Sequence, residues 1–324
     1  MNEADLHLVQ RLVARERLSL DLCARGRTCF LSHVGSVAKL VPGPWIGHRD
    51  LILALALANL TPAQRTALAR SVLVDHGREF GVGRLALTAL PSGLPLGGCA
   101  LRLHPRGGGP VCLYTWALGE SAGTTGCEWL LLRAEPTWSL RQPPSPLTPH
   151  ALETLHALGA SVTLLVDTAV AARQVADRCL ARVPFTAHPR FLPQLEGHDP
   201  HAKVRLWPHD AVAAPGFWPA PKDRSKQIPE QSGAVLLVDA PEPVRQQVHA
   251  WHAAHPHARG VEVAPASCPG RIDRDGLERL WHACERPQIL LRGDPEWSGD
   301  ARRYLQDLGA RVETQAQGTQ LPLL

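Results

Sequence analysis

The sequence predicts an α/β fold made of two parts, and three observations carry that expectation. The first ~135 residues alternate short apolar runs with turn residues, which is the pattern of strands. A proline-rich stretch, Arg141 to Pro149, then interrupts the chain. Beyond it, strand-length apolar runs alternate with helical periods, as in parallel βα units. With 324 residues, 44% hydrophobic and 20% charged, the chain can bury a substantial core in one large domain or two intimate ones.

Taken in order, Leu6 to Arg17 reads as a short helix or irregular lead-in. Leu18 to Leu22 and Thr28 to Ser32 read as strands around an Arg25-Gly26-Arg27 turn. Leu51 to Leu60 is too short to span a bilayer and reads as a buried helix. Pro62 to Val74 reads as a helix capped by Thr61 with Pro62 at its first position. Arg84 to Leu90, Gly98 to Leu103, Val111 to Thr115 and Glu128 to Leu132 read as strands, with Gly107-Gly108-Gly109 as a hairpin turn. After the prolines, helices are expected over Pro149 to Leu158, Ala169 to Ala181, Pro243 to His255, Arg274 to Glu285 and Ser298 to Leu308. Strands are expected over Ser161 to Asp167, Val204 to Trp207, Ala234 to Asp239, Val261 to Val263 and Gln288 to Leu291. Ala213 to Gln231, proline-rich and charged, reads as a surface loop.

The net charge is +4, from 34 basic and 30 acidic residues, and nearly all the basic ones are Arg. Arg presents a planar fork suited to phosphate, although a high-GC genome produces the same bias. Met1 to Gln10 carries acids and lacks the apolar core of a signal peptide, so a soluble cytoplasmic protein with no membrane partner is expected. Eight cysteines are present: Cys23, Cys29, Cys99, Cys112, Cys127, Cys179, Cys268 and Cys284. None form a Cys-x-x-Cys pair, which removes zinc-ribbon spacing and leaves reduced, buried thiols as the expected state. Walker-A, Gly-x-Gly-x-x-Gly and Gly-x-Ser-x-Gly motifs are absent. Asp167, ending a strand before a helix, reads as a helix cap.

Three segments carry a family resemblance. They are Leu18 to Leu40 (LSLDLCARGRTCFLSHVGSVAKL), Leu87 to Leu118 (LTALPSGLPLGGCALRLHPRGGGPVCLYTWAL) and Ala266 to Arg311. In that order they resemble the β-CASP branch of the metallo-β-lactamase superfamily, which includes Artemis, the cross-link-repair nucleases, the polyadenylation endonucleases and bacterial ribonuclease J. There, a strand carrying an Asp precedes a strand ending in Ser/Thr-His-x-His-x-Asp-His. "PAGH", "YTGDF", "SGHAD" and "VHG" elements follow. The resemblance implies a metallo-β-lactamase αβ/βα four-layer sandwich from residues 1–145 and 264–324, with a smaller β-CASP-type α/β domain, residues 146–263, inserted.

The ligand residues depart from the family pattern. His33 matches the first His of the metal-binding turn, but Gly35, Val37 and Ala38 replace the other ligands. Leu94 stands at the "PAGH" histidine and Ala117 at the bridging aspartate of "YTGDF". Arg133, Arg271 and Arg292 stand at the remaining acidic and imidazole positions. Zinc needs three or four N, O or S donors at about 2.0–2.3 Å, and without it no water is activated for hydrolysis. The resemblance therefore implies a pseudoenzyme with no metal or other cofactor.

Arginines at such positions could bind phosphate without cutting it. Alternatively they pair with Glu135, Asp273 or Asp294. His33 reads either as a hydrogen-bonded core residue or as a residual phosphate contact. Trp218 with Lys222, Arg224 and Lys226 could stack bases and meet phosphates, or simply belong to a surface loop. His249, His252, His255 and His257 cluster, and His249 and His252 would share a helix face, although solvation accounts for most such clusters. The expected function is nucleic-acid binding in DNA or RNA repair or processing, with DNA or RNA as ligand and an active nuclease paralogue or repair protein as a possible partner. The alternatives are a protein-interaction scaffold, or an enzyme with a relocated Arg-lined site for a small phosphorylated substrate.

Overall fold

In the computed structural model the chain divides into two compact units. One is Met1–Pro143 with Arg271–Leu324, and the other is Pro144–Gly270. In the first, the described residues are 3–21, 23–34, 40–58, 60–134, 271–293 and 295–316. In the second they are 147–148, 161–166, 169–179, 186–187, 195, 205–206, 217–221, 232–238, 246, 248–250, 253–254 and 262–266.

The first unit is mixed α/β. Strands β1 (Leu18–Leu20), β2 (Thr28–Leu31), β3 (Trp45–His48) and β4 (Val72–Val74) form a parallel sheet in that order. A second sheet uses β5 (Glu79–Val82), β6 (Leu85–Pro91), β7 (Cys99–Pro105), β8 (Cys112–Thr115), β9 (Trp129–Arg133), β16 (Gln288–Gly293) and β17 (Val312–Ala316). Its order is β17-β16-β9-β8-β7-β6-β5. It is antiparallel from β5 to β8 and parallel from β8 to β17.

Side-chain alternation gives this seven-stranded sheet two apolar faces. Leu101, Leu103, Tyr114, Trp129, Leu131 and Leu290 pack with Leu18, Leu20, Phe30 and Ile46 of the parallel sheet and with Val9 and Val13 of α1 (Glu3–Arg15). The alternate residues, Leu113, Leu130, Leu132, Ile289 and Leu291, pack on Leu277, Leu280 and Trp281 of α5 (Arg274–Ala283) and on Ala301 and Leu305 of α6 (Pro295–Asp307). The layers therefore run sheet, sheet, helices, with a continuous core on each side of the central sheet.

Local signals set several boundaries. Thr61 caps α3 (Pro62–Ala69) through a capping box with Gln64, and Pro62 occupies the first turn where it gives up no hydrogen bond. That helix stops at Ala69, so the expected helix from Pro62 to Val74 is corrected: Val72–Val74 is a strand. Its two β-branched valines pair beside Ile46 and His48 of β3, where they fit a pleated surface better than a helix. The strands β3, β5 and β17 were not expected from the sequence. α2 (Arg49–Ala56) buries Leu51, Ile52, Ala54 and Leu55 and leaves Leu53 exposed.

The second unit holds a parallel sheet in the order β13-β10-β14-β15, formed by Phe217–Pro221, Ser161–Val166, Ser232–Val238 and Glu262–Ala266. β11 (Thr186–Ala187) and β12 (Arg205–Leu206) pair separately. α4 (Ala169–Cys179) buries Val170, Ala171 and Val175. The expected loop from Ala213 to Gln231 is corrected in part, because Phe217–Pro221 is a strand carrying Trp218. It lies at the sheet edge, where Pro219 and Pro221 can leave the outer side without a donor. Those prolines are what made the segment read as a loop. The helix expected over Pro149 to Leu158 lies outside the described residues. Among the described residues, no helix is long and apolar enough to cross a membrane.

Candidate functional site

Polar side chains gather where the strands of both sheets in the first unit end. Carboxyl edges of parallel strands expose loop groups that no neighbouring strand satisfies, and ligands commonly bind there. Asp21 follows β1 in a left-handed conformation (φ 58°), which Asp tolerates better than most residues. Its carboxylate, 5% exposed, accepts from the Ser32 amide at 2.7 Å and from the Tyr114 hydroxyl at 2.7 Å. His33 follows β2. Its Nδ1 lies 3.0 Å from Ser32 Oγ and 3.7 Å from Asp21 Oδ1.

Trp116 follows β8 and stacks on His33, with ring centroids 5.9 Å apart. The Arg133 guanidinium sits 5.2 Å from the same indole. Arg133 ends β9, Arg292 is the last residue but one of β16, and the two are register partners across that parallel pair. They share the parity of Leu131 and Leu290, so both face the layer between the sheets. Burial pushes the Arg292 guanidinium down, while Tyr114 and Asp21 act in the opposite sense. It stays cationic at neutral pH. Burial and the Asp21 carboxylate push the Tyr114 hydroxyl well above its ordinary value, so it remains a donor. The result is two guanidiniums, an imidazole and an indole beside one buried carboxylate that accepts two hydrogen bonds.

A second polar group lies along the same side of the parallel sheet. His48 ends β3 and stacks on His76, with centroids 4.1 Å apart. The His76 Nε2 lies 3.3 Å from Cys99 Sγ. Burial pushes the Cys99 thiol up to about 12, so it is a donor and not a thiolate nucleophile.

The residues expected to act together are only partly joined. His33, Arg133 and Arg292 meet around Trp116, Asp21 and Tyr114. Arg271 bridges Gly119 through its main chain, on the segment that continues from Trp116. There Gly93 and Gly119 cross so closely that a Cβ on Gly119 would lie 2.2 Å from the Gly93 carbonyl oxygen. Trp218 lies in β13 of the second unit, while Lys222, Arg224 and Lys226 lie outside the described residues. His249 is exposed on a helical segment, and His252, His255 and His257 also lie outside the described residues. Of the proposed acidic partners, Asp273 caps α5 by accepting from the Gly276 amide at 2.7 Å; Glu135 and Asp294 are outside the described residues.

A zinc pair does not fit the described residues. Leu94 and Ala117, at expected ligand positions, are buried apolar side chains, and Arg133 and Arg292 are cations. Among the described residues no group of three or more His, Cys, Asp or Glu side chains could hold a metal ion.

Sequence reasoning missed Asp21, Tyr114 and Trp116. Asp21 had a signal, since it stands in the Leu18 to Leu40 segment on which the resemblance was read. Tyr114 had none, because its partner lies 93 residues away.

No protein-family model matches the chain, and no curated protein matches it. Among solved structures it is similar to a protein of unknown function from Enterococcus faecalis V583, at 14% identity and a TM-score of 0.55. The match covers 88% of this chain and 78% of that one, and it shows a shared fold.

Proposed function

We propose that the chain is a non-catalytic relative of β-CASP metallo-β-lactamase nucleases that binds the phosphate backbone of a nucleic acid. A two-sheet unit interrupted in sequence by a parallel α/β unit supports this lineage. The observation that carries the ligand is the Arg133–Arg292 register pair, two cations on one face of adjacent strand ends. The Asp21 carboxylate acts on Arg292 through space, but no described carboxylate comes within ion-pair distance of either guanidinium. Adjacent guanidiniums repel each other and are relieved by an anion, and phosphate matches their donor geometry. Trp116 adds an aromatic surface for a base. The ligand is DNA or RNA, and an active nuclease paralogue is the natural partner to hand it to.

A second reading rests on the Asp21–His33 contact. An imidazole bonded to Ser32 Oγ and 3.7 Å from a carboxylate, near two arginines, also suits proton transfer on a small phosphorylated substrate.

The test is binding of labelled single- and double-stranded DNA and RNA across a salt series. Affinity should fall with salt, and Arg133→Glu/Arg292→Glu should weaken it at least tenfold, on the order of 1.4 kcal/mol or more, with a shallower salt slope. Absence of binding at low salt sinks the nucleic-acid reading. Turnover of a phosphomonoester that is lost in His33→Gln selects the second.

A further inference from the structure

We propose that Cys127 and Cys284 form a dithiol that a peroxide oxidises to a disulfide, stapling β9 to β16 at the end opposite the arginine pair. Cys127 lies two residues before β9, and Cys284 caps α5 before β16 begins. The Cys127 amide donates to the Cys284 carbonyl at 3.4 Å, and the two side chains lie close enough for each thiol to perturb the other. Main-chain neighbours of this kind fall in the α-carbon range that disulfides span, roughly 4.4–6.8 Å. Both thiols are free.

The pair is asymmetric in the way redox dithiols are. The neighbouring Cys127 thiol and a main-chain donor at Thr125 push the Cys284 thiol down. Its partner Cys127 is pushed up by the same contact and by burial. Cys284, which has the additional main-chain donor at Thr125, is assigned as the attacking sulfur and Cys127 as the resolving one. The turn beyond Cys284 carries Glu285 and Arg286, both left-handed (φ 67° and 56°). Cys284 is fully buried and Cys127 is 8% exposed, which favours a small oxidant over a bulky disulfide.

The steps balance as follows. The Cys284 thiolate attacks one peroxide oxygen; the O–O bond breaks, hydroxide leaves and a sulfenic acid forms. The Cys127 sulfur then attacks the Cys284 sulfur, its proton leaving with the departing hydroxyl as water. Two thiols are oxidised and one peroxide is reduced to two waters.

The full-length reduced protein is treated with hydrogen peroxide or with oxidised glutathione, then alkylated under denaturing conditions and mapped by mass spectrometry. The expected product is a Cys127–Cys284 crosslinked peptide, about 2 Da lighter than the two thiol peptides together. It forms faster with peroxide than with glutathione disulfide and disappears on reduction. In Cys127→Ser, dimedone added with the denaturant after peroxide should trap a sulfenic acid at Cys284. Full alkylation of both cysteines in wild type after peroxide overturns the proposal. So does a crosslink joining Cys23 to Cys29 instead, or a rate with glutathione disulfide equal to that with peroxide.

Discussion

The Tyr114 hydroxyl reaches from the central sheet to the Asp21 carboxylate at the end of the parallel sheet, 2.7 Å away. This bond ties the two sheets together at the edge where Arg133 and Arg292 lie. Removing the hydroxyl leaves a nearly buried carboxylate with one fewer donor and an unchanged ring. Tyr114→Phe should therefore destabilise the fold by about 1–3 kcal/mol, read from urea denaturation. A midpoint equal to wild type would show that the bond contributes nothing.

The chain has two tyrosines, Tyr114 and Tyr304, and both hydroxyls are pushed up. Burial is the first cause for each, with Asp21 and Glu278 adding repulsion. An ultraviolet titration of the native protein should show both tyrosines ionising above the ordinary value of about 10, with Tyr114 well above it. The unfolded chain loses these protons first. Stability is thus fully present below about pH 10 and falls as pH rises above it toward the folded values. Melting temperatures between pH 8 and 11 test this, and Tyr114→Phe should flatten the decline.

At His76 the sign is reversed. Burial and the stacked His48 push its imidazole down. The unfolded chain takes up the proton first, at about pH 6.5. Stability should decline as pH falls from that value toward the lower folded one. His76→Gln should be less sensitive to acid than wild type in thermal melts between pH 7 and 5. An unchanged slope would remove His76 as the cause.

Two glycines make opposite predictions. A Cβ on Gly119 would strike the Gly93 carbonyl, which is backbone and cannot swing aside. Gly119→Ala should cost about 1–3 kcal/mol or more. Gly299 is exposed in α6, and nothing lies within 4 Å of where an added methyl group would sit. Gly299→Ala should stabilise by about 0.5–1 kcal/mol, through a less flexible unfolded chain. A melting temperature that does not fall in Gly119→Ala, or does not rise in Gly299→Ala, would overturn the corresponding prediction.

Much of the strand content was legible because buried strands in this chain are nearly uninterrupted apolar runs, as in Trp129–Arg133 and Ser232–Val238. The cap of α3 was legible because Thr61 and Pro62 act within one turn of each other. The β4 strand was not, because it follows that helix after only two residues and helical periodicity ran on through it. Phe217–Pro221 was hidden by prolines that only an edge position tolerates. The His33–Trp116–Arg133 stack depends on three strand ends meeting, and no local pattern encodes that meeting. The apolar run Leu51 to Leu60 reads as a buried helix, yet Leu53 and Leu57 are more than half exposed. The helix packs by one stripe only.

β9 and β16 are hydrogen-bonded neighbours, yet the whole second unit lies between them in the chain. During synthesis β9 emerges roughly 150 residues before the strand that completes its side of the sheet, so a nascent chain carries an unsatisfied, leucine-rich edge for many seconds. Its vulnerable period is therefore set by translation speed through the inserted unit. Slow codons there would lengthen the exposure, and holding chaperones would be recruited to Trp129–Arg133 before the ribosome reaches Gln288.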